Sequence, residues 1–264
     1  MKKLTVFIAS IIMLFVVGSM AYAGQFGPPE PAAKEGKDSV GIGYFSYSAK
    51  WKPNKTEGGW ETSKVTQNQA YLQLGYGFVK NWEAYMRVGG ADAKLTKIFD
   101  TTAGNPNLSG FKSDFKDNYQ PFGTIGIKGV FNLSQSFGIG PFFQGSFYFS
   151  YKDDTTGTDT GVNATQKAKV KNNSADINLG LGLQGKIGQT IIYGGPVAYW
   201  RKAKVYWTET GAGIAGSDAV TFKEKNNIGG FAGIRIPLSK SLNLEIEGQQ
   251  KSRFSMGGAL TYSF

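Results

Sequence analysis

Neither cysteine nor histidine occurs anywhere in the 264 residues. Without cysteine there are no disulfides, thiol nucleophiles or thiolate metal sites. Without histidine the Ser-His-Asp and Cys-His nucleophile systems are excluded, as are the imidazole sites that zinc, copper and nickel prefer. The chain is therefore expected not to be an enzyme and to hold no metal or cofactor; catalysis by carboxylates alone is the chemistry this composition leaves. Long apolar runs are equally scarce. Past Val17 no stretch approaches the roughly 18 apolar residues of a membrane helix, and no heptad pattern suggests a helical bundle. Acidic residues are in the minority, 19 Asp and Glu against 29 Lys and Arg, for a formal charge of +10.

The amino terminus has its own pattern. Lys2 and Lys3, an apolar run from Leu4 to Val17 and small residues up to Ala23 read as a secretory signal peptide over residues 1–23, with cleavage expected after Ala23. Residues 24–38 carry Pro28, Pro29 and Pro31 with mixed charge and no periodicity. They are expected to form an extended periplasmic lead-in, in preference to a short plug. Residues 39–264 contain most of the 37 glycines and long polar stretches, which suits a many-stranded β domain.

At the carboxyl end, Phe254, Met256, Gly258, Leu260, Tyr262 and Phe264 alternate with Ser255, Gly257, Ala259, Thr261 and Ser263. One strand face is apolar and aromatic and the other small and polar. This pattern resembles the C-terminal strand of bacterial outer-membrane β-barrels, where a terminal Phe with apolar residues at alternate upstream positions is the family's assembly signal. The resemblance implies that Phe264, Tyr262 and Leu260 engage the barrel assembly machinery. Gly75 to Gly89 resembles the strand–turn–strand units of OmpA-like and opacity-type small barrels. An open sheet edge in hydrocarbon would leave backbone groups unpaired, so one membrane strand obliges the others to close the same sheet. The resemblance implies an all-β, transmembrane antiparallel up-and-down barrel over residues 39–264, in the outer membrane of a Gram-negative cell. A structural or surface-interaction role and contact with outer-membrane lipid and lipopolysaccharide follow from it. Outer-membrane proteases, phospholipases and lipid-A acyl-modifying enzymes of similar architecture use a catalytic histidine, which is missing here.

Period-two segments give about ten strands: 39–51, 69–79, the segment after Lys80–Asn81, 122–131, 137–151, 175–187, 190–202, 228–238, 242–249 and 254–264. In the first, Val40, Ile42 and Tyr44 compete with Phe45, Tyr47 and Ala49 for the outer face. Tight turns at 80–81, 132–136, 188–189 and 239–241 lie on one side, with both termini, and loops at 91–119, 152–173 and 203–225 on the other. Pro141 and Pro196 fall inside strands and cannot donate to a ladder, so each is a candidate bulge and eight strands is the alternative.

The polar alternate face puts Glu83, Arg87, Lys128, Asp176, Lys186, Arg235, Glu245 and Glu247 in the lumen, four acids against four bases. Centring the 239–241 turn sets Arg235 opposite Glu245. Centring Gly188–Gln189 sets Asp176 opposite Arg201, or opposite Lys202 if Pro196 is bulged. About eight strands leave an interior just filled by side chains, and aqueous channels appear near sixteen. Ten strands with a neutral lumen therefore imply a plugged, salt-bridged barrel, with a narrow passive channel for small solutes as the alternative.

Losing Lys2 and Lys3 takes the charge from +10 to +8, most of it in the outer loops, where Lys50, Lys52, Lys64, Lys204, Lys223, Lys225, Lys251 and Arg253 are prominent. Lys167, Lys169 and Lys171 alternate along one stretch and form a basic patch suited to lipopolysaccharide. Trp82, Phe131 and Phe137 near the turns and Phe149, Tyr151 and Tyr199 near the loops fit two interfacial girdles. No nucleic-acid module is recognisable, so no nucleic-acid partner is expected, and the barrel is expected to be a monomer. Gly211 to Gly216 matches G-x-G-x-x-G without a surrounding βαβ unit and reads as a loop tip, with 205–207 and 219–222 expected to continue the flanking strands as a hairpin above the membrane.

Overall fold

The computed structural model describes residues 26–54, 61–96, 108–109, 114–159, 164–211 and 214–264. The expected signal peptide lies outside the described residues. The strands are β1 (Asp38–Pro53), β2 (Ser63–Val79), β3 (Trp82–Thr96), β4 (Leu108–Ser109), β5 (Phe115–Gly129), β6 (Phe131–Asn132), β7 (Phe137–Asp159), β8 (Ala164–Ile187), β9 (Thr190–Gly211), β10 (Ile214–Glu224), β11 (Ile228–Pro237), β12 (Leu242–Gln250) and β13 (Phe254–Ser263). Ten of them close a ring in the order β1-β2-β3-β5-β7-β8-β9-β11-β12-β13, with β13 pairing back onto β1 and every pairing antiparallel. β4 and β6 are short additions to β7.

Alternation builds the wall. On β2, Leu72, Leu74, Tyr76 and Phe78 are exposed on the outside while Tyr71 and Gln73 are buried inside. From Ala70 to Phe78 the outward band runs ~26 Å along the strand at ~3.3 Å per residue, a height suited to hydrocarbon. Above it the outside turns polar: the Asn68 N–H and amide donate to the Asp92 carboxylate at 2.5 and 2.9 Å. β1 takes a single phase, with Phe45, Tyr47, Ala49 and Trp51 inside and Val40, Ile42 and Tyr44 only partly covered.

Towards the loop end the ring narrows from ten strands to eight. β11, β12 and β13 are short, and β10 descends over their tops, pairing with upper β9 through Ala203↔Phe222 and with upper β1 through Trp51↔Glu224. Lower β9 pairs with β11 instead, from Ile191↔Arg235 to Ala198↔Ile228. The expected loop at 152–173 is thus mostly strand, with β7 and β8 continuing as one hairpin, and within 203–225 β9 and β10 form the hairpin expected from 205–207 and 219–222. Gly211 and Gly216 lie on β9 and β10 at that second hairpin, and residues 212–213 are outside the described set.

The two strand prolines are accommodated without a change of count. Pro141 keeps register with Leu181, and its other side faces the break between the β5 and β6 pairings to β7. At Pro196 the β8–β9 ladder skips Gly195 and Pro196 but resumes in the same register, so there is no bulge and Asp176 faces Arg201. A register shift does occur on β7 between Tyr148 and Tyr151. The extra residue reverses the phase, which is why Tyr151 is buried in the bore and not part of an outer girdle. Tyr199 shares the inward phase of Arg201 and is buried too, leaving Trp200 outside.

Candidate functional site

The bore divides into two levels. The lower level, near the tight turns, has a wall of glycines and ionised side chains. Residues 26–37 run down inside it and do not lie outside the barrel as an extended lead-in. A segment with three prolines can make few internal hydrogen bonds, here Lys37 N–H to the Lys34 carbonyl at 3.0 Å, so most of its backbone groups need partners from elsewhere. The wall supplies them. The Glu247 carboxylate accepts the N–H groups of Phe26 at 3.2 Å and Gly27 at 2.8 Å. Glu83 accepts those of Ala32 at 2.5 Å and Ala33 at 3.1 Å. Gln184 accepts that of Glu30 at 2.8 Å, and the Gly77 carbonyl that of Gly36 at 2.7 Å. In return Arg235 donates to the Glu30 carbonyl at 3.0 Å and Ser263 to the Ala32 carbonyl at 2.8 Å. Phe26 is buried at mid-height against Phe142 and Phe231, with centroids 4.5 and 5.4 Å away.

The eight charges assigned to the lumen take different roles here. Arg235 and Glu245 are register partners and form a close pair, Nε to Oε1 2.8 Å and Nη2 to Oε1 2.7 Å. Arg87 donates to Gln73 at 2.7 Å and to Gln144 at 3.2 Å, with Tyr71 and Tyr85 rings 4.7 and 4.9 Å from its guanidinium. Lys128 is buried, faces Glu83 in register and reaches Gly27. Lys186 is half-exposed at the mouth and pairs with Glu30 of the inner segment at 2.5 Å. Asp176 belongs to the level above. Below the segment a cavity of about 470 Å³ opens at the turn end, lined by residues including Glu30, Lys34, Lys80, Lys240 and Asn243.

The upper level is packed by the strands themselves. Phe45, Trp51, Leu95, Phe115, Tyr151 and Phe222 are almost fully buried there. Arg201 lies among Tyr47, Tyr148 and Trp51, 4.4, 4.6 and 5.2 Å from their ring centroids, and donates to Gln67 at 2.8 Å. Its Nη1 is 4.0 Å from Asp176, whose carboxylate also accepts Tyr148 OH at 2.9 Å. Glu224 at the foot of β10 accepts Tyr47 OH at 2.9 Å and Ser252 OH at 3.1 Å. Lys251 is not an outer-loop lysine. The β12–β13 turn is tucked under β10, and Lys251 is buried between the two levels, donating to Asn178 at 2.8 Å. Sequence reasoning gave no place in the lumen to Lys251 or Glu224, because both adjoin turns whose direction depends on how β10 crosses to β1. With them and Arg201, the buried charges among the described residues are Glu83, Asp176, Glu224, Glu245 and Glu247 against Arg87, Lys128, Arg201, Arg235 and Lys251.

On the outside, exposed lysines meet one another in register. Lys202 faces Lys223, Lys223 faces Lys52, Lys50 faces Lys64 and Lys94 faces Lys116. They form an arc over β9, β10, β1, β2, β3 and β5, above the level of Asn68 and Asp92, and no ion pair to any of them occurs among the described residues. Lys167, Lys169 and Lys171 lie on β8 and not in a loop, opposite Thr156, Asp154 and Lys152 of β7. Their side chains are outside the described set. At the end of the chain Phe264 is exposed, its ring centroid 5.1 Å from Tyr262, and its N–H donates to the Asp38 carbonyl at 3.1 Å; Leu260 pairs with Ile42 and Leu244.

No protein-family model matches the chain, and no curated protein matches it in sequence. Among solved structures it is similar to the outer membrane protease OmpT from Escherichia coli, with a TM-score of 0.50 and 11% identity over 86% of this chain and 97% of that one. The translocator domain of the autotransporter NalP from Neisseria meningitidis matches with a TM-score of 0.48 and 10% identity over 87% and 89%. The toluene transporter TodX from Pseudomonas putida gives 0.36 and 10% over 94% and 99%. At these identities the likeness is one of fold: a closed antiparallel barrel of the kind found in outer membranes at large, not of the OmpA-like or opacity families in particular. The expectation that the chain is not an enzyme is overturned by the first of these, because the fold it shares with OmpT is one that carries a protease. The fold therefore gives no ground for excluding catalysis.

Proposed function

We propose that this chain is an outer-membrane β-barrel, exported with residues 1–23 as a cleaved leader, whose bore is closed to steady ion flow. Its role is structural and surface-interacting, through a basic outer rim that engages the phosphates and acidic sugars of lipopolysaccharide. The lysine arc carries this reading. Like charges placed directly opposite on neighbouring strands are destabilising, and among the described residues none of these lysines is in an ion pair, although the Asp153 carboxylate accepts the Lys116 main-chain N–H at 2.8 Å. Against an anionic layer the same arrangement becomes favourable, since the lysines sum to one continuous positive field. The neutral, filled bore supports closure. The resemblance of residues 75–89 and 254–264 to small outer-membrane barrels supports the location and assembly from the C-terminal strand.

Lipopolysaccharide binding by the refolded protein tests the reading. Binding is expected to weaken as the Debye length drops from about 10 Å at 0.1 M salt to about 3 Å at 1 M. It should weaken again when Lys52, Lys202 and Lys223 are all changed to Ser, and in a second variant lacking Lys167, Lys169 and Lys171. Binding indifferent to salt and to both variants rejects the electrostatic role. In single-channel recordings the unmodified protein should stay closed; reproducible ion-selective openings would favour the narrow passive channel instead.

A further inference from the structure

We propose that the lower bore is a receptor for an extended, proline-rich peptide, occupied here by the chain's own residues 26–37 and able to exchange them for a peptide of the same pattern. The inference rests on the closed-barrel reading and adds what closes the lower level. Its first support is the hydrogen-bond pattern. The prolines at 28, 29 and 31 need no acceptor, and the wall presents none of its carboxylates there. Glu247 and Glu83 instead each meet two adjacent N–H groups, on either side of the proline run. Ionised acceptors buried in a membrane barrel are costly unless paired. Glu83 meets two main-chain donors of the inner segment, and Glu247 meets two more beside the Gln249 amide at 2.8 Å and Tyr193 OH at 3.3 Å; main-chain donors are common to any peptide.

The wall is also shaped for a chain. A Cβ on Gly182 would stand 2.6 Å from Pro29, so only glycine leaves room for the proline ring at that level. Phe26 fills a separate aromatic notch made by Phe142 and Phe231. The ligand read from this wall is an aromatic residue, a residue with free N–H, two prolines, then a stretch whose amides are free to donate.

Exchange is supported by how the segment is held. Extended prolines enter already ordered, so little entropy is lost on docking. Residues 30–35 line the open cavity at the turn end, and all of them but Ala33 are half-buried or exposed. The upper cluster of Phe45, Trp51 and Phe222 contains no residue of the segment. Withdrawal would therefore empty a blind vestibule, open only at the turn end, and not a through pore.

The test uses the full-length refolded protein and a fluorescent synthetic peptide of residues 24–37. In unmodified protein the resident segment competes and binding is weak. Phe26→Ala weakens the resident while leaving the wall intact, so the peptide should bind at least about tenfold more tightly to this variant. Adding Glu247→Gln on the wall should abolish the gain. As an independent readout, Ala33→Cys in the otherwise cysteine-free chain should be labelled by a bulky maleimide faster when excess unlabelled peptide is present. No gain with Phe26→Ala, a gain indifferent to Glu247→Gln, or labelling unaffected by peptide would each overturn the proposal. Ion conductance in the Phe26→Ala protein alone would overturn the blind vestibule, whereas conductance in the unmodified protein would strike at the closed-barrel reading itself.

Discussion

In the lower bore the wall strands present glycine, carboxylate and guanidinium groups, and the space between them is taken by a separate piece of chain. In the upper bore β1, β5, β7 and β10 contribute aromatic rings to one packed cluster, which among the described residues is built from the strands alone. Both levels are occupied, but by different kinds of interaction. Ring packing is continuous with the wall, so disturbing it disturbs the barrel. Hydrogen bonds to a tethered segment can be lost and regained while the wall stays closed. The difference follows from strand number: ten strands below enclose space for a main chain, and eight above enclose only enough for side chains.

Mutations should separate the two levels. The largest effect is expected from Trp51→Ala, which opens a cavity in the upper cluster and should lower unfolding stability in urea-titrated detergent micelles by about 3–5 kcal/mol. A loss no greater than that of a surface residue would mean the rings are not what holds this level. Glu245→Ala leaves Arg235 buried without its partner and should cost about 3 kcal/mol in the same titration, with part of the loss restored when Arg235→Leu is added. Phe26→Ala should leave the midpoint of global unfolding almost unmoved and increase proteolysis within residues 26–37, because its contacts are to a segment that can leave alone. If it costs as much as Trp51→Ala, the two levels form one cooperative unit. Changing Lys52, Lys202 and Lys223 together should alter stability by within about 0.5 kcal/mol, and the sign should favour the variant at low salt, where the lysines repel most.

Much of the wall could be read from residue order. From Gln69 to Phe78, from Glu83 to Val88 and again from Asp176 to Leu183, each residue's side follows from period two, because lipid and lumen impose opposite demands on neighbouring residues. Counting outward from the 239–241 turn pairs Arg235 with Glu245, which is the register of β11 and β12. That counting works where the hairpin is tight and fails past a bulge, as at Tyr151. Residue types missing from a chain say which mechanisms are unavailable, not which folds carry catalysis.

Strand periodicity and the apolar belt were determined by the sequence itself, since each depends on neighbours one or two residues apart. The course of residues 26–37, the crossing of β10 to β1 and the burial of Lys251 and Glu224 were decided only in the tertiary structure. A proline-rich polar segment is equally compatible with water and with a polar bore, and its place is set by Glu83, Glu247 and Arg235, more than fifty or two hundred residues away in the chain. A lysine beside a turn has no local signal for in or out. Its direction depends on which strand closes the gap above it, and that is a property of the ring as a whole.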